Sequence, residues 1–189
     1  MKQGMKRRVL VIVGSDNDIQ SQCGAGFGVL IDEVRQGTIE MVEGEVRTMS
    51  VHRNHDELGA LLKDLHERKA VDIIIAGAGW AAHLPGMIDA ILGYERGNAS
   101  IHVIGVAFED RNEPRHTTAA ELSISEVPGT RVIYEDADGD NFVGAGGFYR
   151  ACEFAAMGEF PEISVPKARK SEVRSLLVAI DFCTEKLKT

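Results

Sequence analysis

Five apolar residues in a row, Val9-Leu10-Val11-Ile12-Val13, run straight into Gly14-Ser15-Asp16-Asn17-Asp18. A strand made of such a run has no polar face to give to water, so it needs cover on both sides. Glycine and small polar residues directly after it make a strand-to-helix turn, with Ser15 or Asp16 available as the helix N-cap.

The same unit recurs along the chain. Val46–Met49 reads as a second strand, closed by Ser50-Val51-His52-Arg53. Ile73-Ile74-Ile75-Ala76 reads as a third, followed by the loop Gly77–Gly86, and His102–Ala107 as a fourth. Arg131–Tyr134 reads as a shorter fifth. Helices alternate with them. Ile19–Gln36 is one helix weakened by Gly24, Gly26 and Gly28. Leu58, Leu61, Leu62 and Leu65 recur at helical spacing, with Asp56 near the start. Met87, Ile88, Ile91 and Leu92 give an apolar face to a helix whose first turn accepts Pro85. Phe142–Met157 is a glycine-opened helix. Pro161 and Pro166 bracket a linker, and Val173, Leu176, Leu177, Ile180, Cys183 and Leu187 stripe a terminal helix. Strand–helix alternation implies right-handed crossovers and a parallel sheet with helices on both faces. Residues 1–160 then form one α/β domain. Residues 161–189 form a linker and a helix that packs on that domain or on a neighbouring subunit.

Composition narrows the function. With 189 residues, 44% hydrophobic and a net charge of −8, the chain can bury a full core. The acidic balance argues against wrapping nucleic acid, which needs clustered Lys and Arg. No apolar run approaches the roughly 20 residues of a spanning helix, so no membrane is expected. The basic start Met1–Arg8 resembles a signal peptide, but Gly14 ends the apolar stretch too soon. Three widely spaced cysteines, Cys23, Cys152 and Cys183, fit a reduced, cytoplasmic setting.

In open parallel sheets ligands bind beyond the carboxyl ends of the strands. Gly14–Asp18, Ser50–Arg53 and Gly77–Pro85 each stand at such an end. Ser15, Ser50 and Arg53 supply two hydroxyls and a guanidinium, and with helix-opening amides they suit a phosphate. Asp16 and Asp18 can accept from ribose hydroxyls. Gly77 and Gly79 let backbone approach a flat ligand. His52 and His83 are the proton carriers near neutral pH. The bland reading of His83, fixing a helix entry before Leu84-Pro85, weighs about equally with a functional one.

Val-Gly-Ser-Asp-Asn-Asp (13–18), Ser-Val-His-Arg (50–53) and Ala-Gly-Ala-Gly-Trp-Ala-Ala-His-Leu-Pro-Gly-Met (76–87) resemble the GSxSD, SAHR and AGAGGAAHLPGM motifs of the PurE family. These are the N5-carboxyaminoimidazole ribonucleotide mutases of purine synthesis, and the arginine and the His-Leu-Pro-Gly tail resemble class I. The resemblance covers 9–18 and 46–107. It implies a three-layer αβα sandwich with a parallel, flavodoxin-like sheet, a homo-octamer, and a reaction without metal or organic cofactor. Carboxylate on the exocyclic nitrogen leaves as CO2, is held, and adds to C4 of the ring. By position, His52 is the general acid and base, Ser15 and the amides near Gly79 and Ala81 hold the carboxylate, Asp18 binds ribose, Ser50 and Arg53 hold the 5′-phosphate, and His83 shapes the CO2 pocket.

The chain also departs from the pattern. Asn17 stands for Ser, Val51 for Ala, and Trp80 for a glycine expected against the base; the indole fills pocket, stacks on a ligand or packs at a subunit contact. Gln20–Glu45 is long and Tyr94–Ser100 looks inserted. The family's later covering loop, ending in Met-Pro-x-Gly, gives way to a charged stretch, Phe108–Thr118, with Val127-Pro128-Gly129 as its remnant. Those charges read either as a solvated loop or as contacts to a different ring. Two rivals therefore stand beside the mutase: a carboxylase or decarboxylase on another substrate, and a non-catalytic nucleotide-binding oligomer. Weaker patterns fail on spacing. Gly24-Ala25-Gly26-Phe27-Gly28 lacks the adjoining strand of a dinucleotide fingerprint. Asp136–Asn141 lacks the glycine and glutamate of a calcium loop. His52 and His55 lack further metal ligands, and Cys23 lacks basic neighbours that would activate a thiol.

Overall fold

The computed structural model describes residues 6–168 and 170–185. Residues 1–5 of the basic start and Leu187 of the terminal stripe lie outside them. Four parallel strands, β1 (Arg7–Val13), β2 (Ile39–Thr48), β3 (Ile73–Ala78) and β4 (His102–Ala107), form one sheet in the order β2-β1-β3-β4. β1 and β3 are central, and they are the continuous apolar runs. Val9 pairs with Ile73 and Val13 with Gly77.

Period-two alternation divides these runs between two cores. Leu10, Ile12, Ile74, Ala76 and Val103 face α3 (His55–Arg68), α4 (His83–Ala90) and α5 (Pro114–Ser125). Val9, Val11, Val13, Ile73, Ile75, Ile104 and Val106 face α2 (Gly24–Gln36) and α6 (Gly144–Met157). The molecule is a three-layer sandwich, as the strand–helix alternation requires. Each fully buried Val, Leu, Ile or Phe side chain contributes about 1.5–3 kcal/mol, so both layers are anchored by many such residues.

Several local expectations change. Ile19–Gln36 is two helices, α1 (Asp16–Gln22) and α2, broken at Cys23. Gly26 is a packing requirement more than a weakness: a Cβ there would lie 2.4 Å from Phe148 Cδ1, where α2 crosses α6. β2 begins at Ile39, well before Val46. Its register against β1 jumps between Met41 and Val46, with Glu45 at φ 71, and this bulge breaks the apolar pattern a strand is read from. Arg131–Tyr134 is not a full strand. Ile133 makes an isolated parallel bridge to Ile104, because Arg131 is turned into an ion pair with Asp89. The charged loop is shorter than 108–118, since Pro114 opens α5 behind the N-cap Glu113. The apparent insertion at 94–100 is taken up by a π-turn, Ile91–Glu95, continuing α4. Buried Asn98 closes the following turn by donating to the Ile101 carbonyl at 2.8 Å.

α7 (Leu176–Glu185) leaves Leu176, Leu177, Val178, Ile180 and Phe182 all more than half exposed. Residues 159–175, which join it to α6, hold no helix or strand among those described. No helix of the described residues is long and apolar enough to cross a membrane.

Arg8 ties the start of β1 to Asp72, just before β3. Its backbone N–H donates to Asp72 Oδ2 at 2.8 Å and its Nη2 meets Oδ1 at 2.6 Å. Burial pushes the Asp72 carboxyl up, but the Arg8 hydrogen bonds and charge outweigh it and hold the group below its ordinary value. A depressed folded pKa gives stability that is present above the unfolded value, near 3.8, and lost as pH falls through the folded one. Asp72→Asn is expected to cost no more than about 1 kcal/mol at pH 7, both side chains of the pair being about a third exposed. That difference from the parent should shrink as pH falls below about 3.8 and vanish once the folded-state carboxyl is protonated, which urea titrations across pH check; a difference independent of pH would contradict the linkage.

Candidate functional site

The loops after β1, β2 and β3 end on the same edge of the sheet. Around them lies a cavity of about 440 Å³ lined by Ser15, Asp18, Ser50, His52, Arg53, Gly79, Trp80, Ala81 and His83, together with Gly14, Asn17, Val51, Ala78 and Leu84. Every site residue named from sequence is there except Asp16 and Gly77; a Cβ on Gly77 would lie 2.6 Å from Phe108 Cε2, so that glycine makes room for the core. Asp16 sits outside the lining, its Oδ1 accepting from Thr48 Oγ1 at 2.6 Å. A larger recess of about 730 Å³, between α5, residues 130–141 and the end of α6, is lined by no imidazole or guanidinium.

Each loop is shaped locally. Ser15 caps α1: its Oγ accepts from the Asp18 amide at 3.2 Å and donates to Asp18 Oδ2 at 2.7 Å. Burial raises the Asp18 carboxyl above its ordinary value, and the Ser15 hydrogen bond pulls it part of the way back. The second loop is a tight turn. The amides of Arg53 and Asn54 both donate to the Ser50 carbonyl, at 3.1 and 2.7 Å, and Asn54 Oδ1 accepts from the Ser50 amide. Val51, where the motif has alanine, is the buried anchor of that turn, so His52 and Arg53 project outward. In the third loop a Cβ on Gly79 would stand 3.4 Å from Asp18 Oδ1. The missing side chain lets the backbone of the β3 loop close on the β1 loop.

His52 Nε2 and His83 Nδ1 are 3.3 Å apart, with the rings nearly perpendicular at 87°. At that distance one nitrogen can donate a hydrogen bond to the other, the roles being set by the tautomers. His83 also begins α4, two residues before Pro85, so it stands at the helix entry as well as on the cavity wall. Cys23 is no nucleophile: burial, with the Asp18 charge, pushes its thiol up to about 12. Among the described residues no three His, Cys, Asp or Glu side chains group so as to hold a metal ion.

A sequence profile described as AIR carboxylase matches residues 8–132, about two thirds of the chain. The chain belongs to the AIR carboxylase family. The matched span contains all three loops of the cavity. The N5-carboxyaminoimidazole ribonucleotide mutase of Saccharolobus solfataricus is 34% identical over 121 residues, 64% of this chain and 65% of that protein. The protein of that name from Mycobacterium tuberculosis is 38% identical over 87 residues, 46% of this chain and 45% of its own length. That from Pyrococcus abyssi is 32% identical over 128 residues, 68% of this chain and 63% of its own. The chain thus spans less than two thirds of the length of these relatives. The crystal structure of Treponema denticola PurE aligns over 68% of this chain and 70% of that one, at 16% identity and a TM-score of 0.49.

Sequence reasoning missed one feature of this site. The Trp80 indole stacks on His116, with ring centroids 4.1 Å apart and planes 17° apart. Nothing local signals it, because His116 lies in α5, a helix hidden by its proline and charged entry.

Proposed function

We propose that this family member transfers carboxylate on a phosphorylated aminoimidazole ribonucleotide, converting the N5-carboxylated form into the C4-carboxylated isomer for purine synthesis. The observation that carries this is the His52–His83 pair facing the same 440 Å³ cavity as Ser15, Asp18 and Arg53. The reaction loses CO2 from the exocyclic nitrogen, which takes a proton. C4 then attacks the CO2 and gives up its own proton. One imidazole performs both transfers with no net proton consumed, which suits His52 as general acid and base. His83 shares the proton and borders the space where CO2 waits. Ser15 with the amides near Gly79 and Ala81 holds the migrating carboxylate, Asp18 accepts from ribose, and Ser50 with Arg53 holds the 5′-phosphate. No organic cofactor or metal enters these steps.

Retaining CO2 requires exclusion of water. His52, Arg53 and His83 are exposed in the single chain. We therefore read the working form as a cytoplasmic homo-oligomer, an octamer by resemblance, with the apolar stripe of α7 seated on a neighbouring subunit. A monomer in sedimentation would remove this part of the reading. Incubation with N5-carboxyaminoimidazole ribonucleotide tests the activity, with the C4-carboxylated isomer as the expected product. No consumption, or decarboxylation alone, would favour the rival binding module or a carboxylase on another substrate. Trp80 and the altered loop are the observations that keep that second substrate in view.

Arg53→Ala separates the phosphate role from the rest. A charge-assisted hydrogen bond is worth about 1.5–3 kcal/mol, so affinity for the nucleotide should fall about 10- to 100-fold while that for the nucleoside stays within about twofold. Calorimetry on both ligands checks it, and equal losses would take Arg53 out of the phosphate site.

A further inference from the structure

Trp80 is the only tryptophan of the chain, and it stands where a tryptophan is least expected. Its backbone lies at φ 58, a left-handed conformation that suits glycine. Its side chain is 66% exposed. A glycine would relieve both the strain and the exposure. Strained backbone of this kind persists where the surroundings hold it and the site uses it.

The surroundings do hold it. The indole lies flat on the His116 ring. His116 Nδ1 meets Asp110 Oδ2 at 2.8 Å. Asp110 is fixed in turn: its amide donates to Thr117 Oγ1, and its Oδ1 accepts from the amides of Asn112 and Glu113. The first turn of α5 therefore braces the indole from behind. Trp80 lines the His52 cavity and also a second cavity of about 480 Å³, which shares Asn17, Asp18 and Gly79 with the first. His116 lines neither cavity. His116 therefore takes one face of the indole, while Trp80 stays 66% exposed and borders both cavities.

We infer that Trp80, braced by His116, is the platform on which the flat ring of the ligand stacks, and so determines specificity for a ring-bearing nucleotide over ribose phosphate alone. This rests on the proposed function and assigns a role that function leaves open. Stacking on an indole suits any flat heteroaromatic ring, because every such ring has a π face. Bracing lowers the rotamer freedom that binding would otherwise remove. His116 acts through Trp80 and is a positioning residue.

The single indole makes the test direct. Fluorescence and calorimetry are followed together while the protein is titrated with aminoimidazole ribonucleotide and, separately, with ribose 5-phosphate. The nucleotide is expected to change the emission and ribose 5-phosphate to leave it unchanged. Trp80→Gly suits the backbone and should lose about tenfold or more in nucleotide affinity, with ribose 5-phosphate affinity within about twofold of the parent. Trp80→Phe should fall between, which keeps the test alive if the glycine variant folds poorly. His116→Ala should weaken the nucleotide several-fold, and His116→Phe, which keeps a ring under the indole, should restore it. Calorimetric binding with silent fluorescence, or full nucleotide affinity in Trp80→Gly, would overturn the platform alone. So would a change of subunit count in that variant without a change of affinity, which would make Trp80 a subunit contact. Failure of the parent to bind the nucleotide by calorimetry would remove the proposed function as well.

Discussion

His52→Asn should lower turnover of N5-carboxyaminoimidazole ribonucleotide by about 10²–10⁴-fold, the usual worth of a positioned acid–base group. Asparagine keeps a polar side chain of similar reach but neither gains nor loses a proton near neutral pH. The exchange costs about one hydrogen bond, roughly 1 kcal/mol, so nucleotide affinity should stay within about tenfold. The fold should not respond, because His52 is exposed and the turn that carries it is held by Val51, Ser50 and Asn54. Calorimetry and an isomerisation assay on the same preparation read both quantities. Equal turnover in variant and parent would end the acid–base role. Equal loss of turnover and binding would make His52 a ligand contact only.

The second large effect lies away from the chemistry. Asp89, in α4, is 6% exposed. Its Oδ2 accepts from the Arg131 amide at 3.0 Å and its Oδ1 from Arg131 Nη2 at 2.7 Å. Arg131 also donates to the carbonyls of Asp89, Asn98 and Ser164, and so ties α4, the turn after the π-turn and the linker to one guanidinium. Gly93 leaves the room: a Cβ there would lie 2.7 Å from Arg131 Cζ. Removing one partner of such a pair strands a buried charge. Asp89→Ala is expected to destabilise the fold by about 3–5 kcal/mol, read as a lower urea midpoint at unchanged slope. Replacing both partners by apolar residues of similar volume should recover most of that loss, since the penalty comes from the uncompensated charge. A loss below about 1 kcal/mol for Asp89→Ala would mean that water reaches the guanidinium.

What the sequence reveals and conceals follows from how local each cause is. β1, β3 and β4 are legible because burial on both faces leaves an unbroken apolar run. α3 is legible because its leucines recur at one helical period. The cavity is legible for a topological reason: parallel strands bring all their carboxyl ends to one edge, so Ser15, His52 and His83 meet although long stretches of chain separate them. The hidden parts depend on partners far along the chain. The first half of β2 is masked by a bulge that no propensity marks. The purpose of Gly26 is Phe148, and the conformation of Arg131 is decided by Asp89. The stack of Trp80 on His116 joins a loop to a helix whose entry, Glu113-Pro114, reads as loop. Asp16 belongs to the same turn but stands outside the cavity lining, its carboxylate accepting from Thr48, a partner on β2 that the local sequence does not announce.

On the proposed mechanism, one imidazole pair and an anion cradle keep CO2 in place between its departure and its return. A substrate labelled with ¹³C in the N5-carboxylate, incubated in unlabelled bicarbonate and followed by NMR, tests this most directly. Label recovered at the C4 carboxylate in nearly all of the product is the expected result. Label lost to bulk bicarbonate while product forms, or label left on nitrogen with no product at all, would contradict it.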